Sequence, residues 1–170
     1  PAARLAAHLD VRYAKVAVHR FPDGESRVTV PSPLPARVAM CRSLDHPNDK
    51  LVETILAAEA ARQNGARSIS LIAPYLCYMR QDIAFNPGEA ISQRIVGRWL
   101  ADRFDAVVTV DPHLHRVATL AEAVPAADAV ALSAAALFGA FLQEREPVAL
   151  LVGPDVESAR WLVAATRVHP

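Results

Sequence analysis

Along this chain the apolar positions change period several times, and each change marks an element. Arg27-Val28-Thr29-Val30 alternates with the period of two expected of a half-exposed strand. From Asn48 to Asn64 the period lengthens, and Leu51, Val52, Ile55, Leu56 and Ala58 or Glu59 step at helical spacing. Asn48 is placed to cap that helix, and Gly65 to end it in a left-handed conformation. A helix end is expected at Arg4–Asp10, and strands at Val16–Arg20, Arg37–Cys41 and Ser68–Ala73, the last stopped by Pro74. Phe21-Pro22-Asp23-Gly24-Glu25 reads as a turn, and Pro31, Pro33 and Pro35 force an extended connection. A polar loop with Arg80, Gln81 and Asp82 leads to a helix over Glu89–Phe104, with Ile91, Ile95, Trp99 and Leu100 expected to face a sheet.

The strand Val108-Thr109-Val110 follows, then a short helix near His115–Ala123 and a brief strand at Val130–Leu132. Ser133 is expected to cap an alanine-rich helix carrying Leu137, Phe138, Phe141 and Leu142. A strand at 148–152 and a last helix with Ala159, Leu162 and Ala165 complete the pattern. Strands separated by helices imply βαβ units. With right-handed crossovers, helices cover both faces. The expected fold is three-layer α/β, with a mostly parallel sheet.

Composition narrows this picture. A chain of 170 residues, 52% hydrophobic and 21% charged, has the makings of one domain with a substantial core. Eighteen basic and eighteen acidic residues cancel, which lends no support to a general nucleic-acid or membrane-surface binder. No apolar run approaches the roughly 20 residues that span a bilayer. Cys41 and Cys77 lack CxxC spacing and make no disulfide framework. With no secretory leader visible, the expected compartment is the cytoplasm. Because the chain starts at Pro1 without a methionine and stops just after a helical pattern, it is also open to being part of a longer protein.

Chemistry concentrates after predicted strands. Polar clusters lie at Phe21–Glu25, Tyr75–Asp82, Asp111–Arg116 and Gly153–Ser158. Parallel strands bring several such ends to one edge, where ligands of open α/β sheets gather. Val110-Asp111-Pro112-His113 delivers an oxygen ligand and an imidazole there; the plainer alternative is that Asp111 caps a helix and the histidines lie on its first turn. Neither a dinucleotide fingerprint nor a Walker phosphate loop nor a nucleophile elbow occurs. His113 and His115 are two apart, not on one helical face, and the distant cysteines argue against a closed zinc site. Magnesium, with few carboxylates and with phosphate oxygens completing its shell, suits the pieces better.

Phe21-Pro22-Asp23-Gly24-Glu25, Asn48-Asp49-Lys50-Leu51, Pro74-Tyr75, Arg80-Gln81-Asp82, Glu89-Ala90-Ile91-Ser92, Val110-Asp111-Pro112-His113 and Pro154-Asp155 occur in this order. Together they resemble the amino-terminal half of the ribose-phosphate pyrophosphokinase family. The resemblance implies a phosphoribosyltransferase-like fold, with residues 1–170 as the amino-terminal domain and the carboxyl-terminal domain outside the chain. It implies transfer of pyrophosphate from ATP to ribose 5-phosphate with Mg²⁺, in a homo-oligomer whose ATP site lies at a subunit interface. By position, Phe21 would stack on adenine, with Asp23 and Glu25 accepting its hydrogen bonds, and Arg80 and Gln81 would engage ATP. His113 would be catalytic at the magnesium and phosphate site, and Asp155 would lie by ribose 5-phosphate and its metal. Asp111 would orient His113. Plainer roles stand beside these: a core aromatic for Phe21, an ion pair with Asp82 for Arg80, and a helix cap for Asp155.

The chain also departs from the family. Ile83-Ala84-Phe85-Asn86 stands where further basic residues are usual, and Val156-Glu157-Ser158 replaces glycines after the Pro-Asp pair. Glu157 adds negative charge where a sugar phosphate should approach. The acidic phosphoribosyl-binding loop and the flexible catalytic loop belong to the carboxyl-terminal half, so the 170 residues alone are expected to be inactive. The main reading is a divergent ribose-phosphate pyrophosphokinase. A regulatory homologue that associates with an active synthetase, and a phosphoribosyltransferase, are the other two.

Overall fold

A computed structural model describes residues 1–146 and 150–167. Helix α1 (Ala2–His8) precedes an antiparallel hairpin, β1 (Ala17–Arg20) and β2 (Ser26–Thr29), which forms its own two-stranded sheet. The main sheet is parallel, in the order β3 (Arg37–Cys41), β4 (Ser68–Ala73), β5 (Ala106–Val110) and β6 (Asp128–Leu132). Between those strands come α2 (Pro47–Gln63), α3 (Ser92–Ala101) and the single-turn α4 (Leu120–Ala123). Helix α5 (Ala135–Arg145), a 3₁₀ turn at Val156–Ser158 and α6 (Ala159–Thr166) follow β6. The α/β architecture is therefore as expected: a parallel sheet flanked by helices, with the hairpin added.

The core forms on one face of the sheet. Ile69, Leu71 and Ala73 of β4 and Val107 of β5 are fully buried, in a register that sets Leu71 beside Val107. Phe104, Leu100, Val96, Leu120 and Val124 pack against them. Burying a side chain of this size contributes about 1.5–3 kcal/mol. Gly65 closes α2 at φ +98°, the left-handed conformation expected of it, which costs a glycine nothing sterically. No helix among the described residues is long and apolar enough to cross a membrane.

Several expectations are corrected. Helix α2 starts one residue earlier, at Pro47 after His46, and Asn48 caps nothing; its amide oxygen accepts from the Tyr78 hydroxyl. In α2 the deep positions are Leu51, Glu53, Thr54, Ala57, Ala58 and Ala61, while Val52 and Leu56 face outward. Helix α3 is shorter than expected because the Glu89 carboxylate binds the loop before it, accepting from Phe85 N, Asn86 and Gln81. That helix is also turned about its axis. Gln93, Val96, Gly97 and Leu100 are buried, and Ile95 and Trp99 are exposed. Gln93 lies inward because its amide donates to the Met79 carbonyl at 3.0 Å.

The helix expected over His115–Ala123 shrinks to α4. Thr119 sits in an extended conformation and forms a capping box with Glu122, so helical backbone cannot begin before it. Ser133 accepts from the Ala135 amide at 3.2 Å, although the capping residue itself is Ala134. Of the strand expected at 148–152, positions 148 and 149 lie outside the described residues, and 150–152 carry no strand.

Candidate functional site

Adjacent parallel strands β4 and β5 end side by side, at Ala73 and Val110, so the segments that follow them share one edge. Asp111 turns the chain there at φ +43°, an uncommon conformation for which Asp is better suited than most residues. Its carboxylate is spent on holding that turn. One oxygen accepts from the Ala134 amide at the start of α5 (2.9 Å), and the other from the Trp161 indole of α6 (2.7 Å). Asp111 thus fastens β5, α5 and α6 together and does not orient His113. The amide it accepts from lies at the start of α5, not at the start of the helix that follows it in sequence.

With no helix at 112–119, the two histidines meet. His115 Nε2 lies 3.2 Å from His113 Nδ1, and the rings cross edge to face with centroids 3.7 Å apart. On its other side His115 Nδ1 is 2.6 Å from the Glu157 carboxylate. Burial first, then the neighbouring His115 and Arg80 charges, hold the His113 imidazole below its ordinary pKa. They outweigh the opposing pull of Glu157 and Asp82. His113 is therefore a neutral ring over more of the pH range than an exposed histidine.

Asp111, His113, His115, Asp155, Glu157 and Trp161 line a cleft of about 490 Å³ whose far wall is apolar and comes from α5 and α6. Those two helices approach closely at Gly139, where an added Cβ would stand 2.1 Å from the Ala165 carbonyl oxygen. Asp155 serves as the cap proposed for it, accepting from the Ser158 amide at 2.9 Å at the head of the 3₁₀ turn. It does this while lining the cleft.

The Tyr75–Asp82 segment reaches the same edge. Asp82 is buried and pairs with Arg116 at 2.8 Å, not with Arg80. The exposed Arg80 guanidinium makes no hydrogen bond or ion pair among the described residues, and its charge is felt at His113. Gln81 is occupied by the Ile83 carbonyl and Glu89. Three of the four sequence clusters thus converge, through Arg116–Asp82 and His115–Glu157.

The fourth cluster is carried separately, on the hairpin tip. Phe21 is half-exposed rather than a core aromatic; His19 meets it edge-on at 4.9 Å, and Arg27 lies 6.0 Å over its ring. The turn closes through Phe21 N to the Glu25 carbonyl (2.8 Å), and Asp23 accepts from the Glu25 amide (3.1 Å). Buried Glu53 on α2 anchors this hairpin, binding Arg20 of β1, Ser26 of β2 and Arg42 beyond β3. Burial alone would raise the Glu53 pKa, but the hydrogen bonds and charges of Arg42 and Arg20 prevail and lower it.

Sequence reasoning placed His115 and Arg116 in the Asp111–Arg116 cluster at this edge but gave neither a role, and it missed Trp161.

Residues 2–102 match the family described as the N-terminal domain of ribose phosphate pyrophosphokinase. Ribose-phosphate pyrophosphokinase of Methanopyrus kandleri is 44% identical over 164 residues, covering 94% of this chain and 54% of that protein. The same enzyme from Halobacterium salinarum is 40% identical over 112 residues, covering 66% of this chain and 40% of that protein. The chain thus spans about half the length of the curated relatives it matches, or less. Phosphoribosylpyrophosphate synthetase from Mycobacterium smegmatis superposes with a TM-score of 0.80 over 98% of this chain and 56% of that one, at 24% identity, a likeness of fold. On the strength of the ordered motifs, the matched domain and these relatives, the chain belongs to the ribose-phosphate pyrophosphokinase family.

Proposed function

We propose that this chain is the amino-terminal domain of a divergent ribose-phosphate pyrophosphokinase, which transfers pyrophosphate from ATP to ribose 5-phosphate and releases AMP. The observation that carries the reading is the convergence of Arg80, His113 and Asp155 segments on one sheet edge, with the Arg80 guanidinium left for a ligand. In this reaction the anomeric hydroxyl of the sugar attacks the β-phosphorus, and AMP departs in line. Such transfer depends mainly on alignment and on neutralising charge over the phosphate oxygens. Arg80 offers a planar fork of donors to the phosphates. His113 presents a neutral imidazole beside them. Phe21, Asp23 and Glu25 hold adenine, Gln81 assists at ATP, and Asp155 faces ribose 5-phosphate.

The donors fit a magnesium ion carried in with its nucleotide. An imidazole and a carboxylate, His113 and Asp155, line one cleft, and among the described residues no group of three or more such side chains makes a closed metal cage. Magnesium commonly takes one or two protein ligands and completes its shell with phosphates and water. When bound, it supplies charge neutralisation at the phosphates. The protein works in the cytoplasm as a homo-oligomer, with the hairpin's adenine site at a subunit interface. Exposed Ile95 and Trp99 on α3, and Phe138 and Phe141 on α5, leave apolar surface for partner contacts. The 170 residues by themselves are inactive, since the family's phosphoribosyl-binding and flexible loops come from the other half.

The test is AMP formation by the full-length gene product, dependent on both ribose 5-phosphate and Mg²⁺. Failure under every condition overturns the reading. A regulatory homologue is the second reading, favoured by one observation. The stretch after Asp82, Ile83-Ala84-Phe85-Asn86, carries no cation and closes on itself through Glu89. Co-purification of an active synthetase with an inactive pure chain would select it.

A further inference from the structure

We propose that Glu157 is a positioning residue which, through His115, presents His113 to the reacting phosphates in one ring orientation and one tautomer. The proposal rests on the reaction given above and adds to it a positioning role for Glu157.

A carboxylate only accepts, so His115 must turn Nδ1–H toward Glu157, at 2.6 Å. Well above the histidine titration range, where the His115 ring carries a single proton, Nε2 is then a lone pair. It faces His113 Nδ1 at 3.2 Å, and His113 donates to it. His113 Nε2 is left without a hydrogen, as an acceptor for a hydroxyl proton or a lone pair for a cation. Partners of this kind fix which nitrogen of an imidazole is available and how the ring is aimed.

The relay is stiff because the segments that carry it are pinned together at further points. Trp161 donates to Asp111 at 2.7 Å, and Arg160 reaches the Leu114 carbonyl at 3.3 Å. Asp155 and Ser158 bond each other within the turn that carries Glu157. Glu157 is itself largely exposed, its side chain 60% accessible, so the fold does not need it for burial. What it contributes is direction, and its negative charge is directed at His115 rather than into the path of a sugar phosphate.

The experiment uses full-length protein labelled with ¹⁵N-histidine, as wild type, Glu157→Ala and Glu157→Gln. Ring nitrogen shifts from solid-state NMR are read beside kcat and both KM values. Held well above the histidine titration range, wild type should show His113 and His115 as Nδ1–H tautomers. In Glu157→Ala both should revert toward the Nε2–H form, with kcat down about tenfold and both KM values within about twofold. Glu157→Gln keeps an accepting oxygen and should recover most of the loss in both readouts. Ring nitrogens unchanged in Glu157→Ala, or an unchanged kcat, would overturn the proposal. Should wild type form no AMP, the reaction assigned above falls, and the ring nitrogens alone decide whether Glu157 sets the tautomer.

Discussion

Arg80 and Asp82 show how side chains two apart take opposite roles at a sheet edge. Asp82 is buried and consumed by Arg116, which leaves Arg80 with its donors open. A guanidinium grips phosphate through two parallel hydrogen bonds, whereas an ammonium does so as a point charge. Arg80→Lys should therefore raise the KM for ATP about tenfold and leave that for ribose 5-phosphate within about twofold, as steady-state kinetics would show. The two cysteines make a second contrast. Burial pushes the Cys77 thiol up to about 11, while Cys41 is partly accessible. Since only the thiolate is nucleophilic, Cys77 holds on the order of one thiolate in a thousand at pH 8. Iodoacetamide should label Cys41 first in native protein and both residues equally in urea, as peptide mass analysis would show.

Among the elements, the hairpin and the α5–α6 pair carry the two walls of chemistry, and each hangs on one residue. Glu53 joins the hairpin to α2 by way of Arg20 and Ser26, with Arg42 alongside. Because its pKa is lowered in the fold, its contribution is complete above the ordinary glutamate range and is lost as pH falls through the folded value. Glu53→Gln should cost about 2 kcal/mol near neutrality, seen as a lower urea midpoint at unchanged slope. The difference from wild type should shrink in acid. Gly139 lets α5 reach α6, and a methyl group there meets the Ala165 carbonyl. Gly139→Ala should destabilise by about 1–3 kcal/mol and disturb the cleft, lowering the thermal midpoint by several degrees.

For the molecule as a whole, the centre of the sheet was legible because β4 and β5 are apolar runs with β-branched residues, ended by Pro74 and Asp111-Pro112. Convergence of the Tyr75–Asp82 and Asp111–Arg116 clusters followed from parallel order, whereas the Gly153–Ser158 cluster is brought to them by the His115–Glu157 contact. Local pattern failed where tertiary demands outranked it. Gln93 displaced Ile95 and Trp99 from the buried face because its amide had a carbonyl to satisfy inside. Thr119 cut a helix short, and the backbone freed in that way let His115 reach His113. No period or spacing in the sequence announces a contact made by non-helical backbone. The same holds for Glu157, 42 positions beyond His115, which only the folded chain sets against that imidazole.

The most direct test of the account follows ATP and ribose 5-phosphate by ³¹P NMR in the presence of full-length protein and of its His113→Ala variant. Wild type should yield AMP and a pyrophosphoryl group on the sugar's anomeric oxygen. His113→Ala should turn over at least about 100-fold more slowly at an unchanged melting temperature. AMP formation by His113→Ala at the wild-type rate, or loss of turnover only in step with unfolding, would contradict the account.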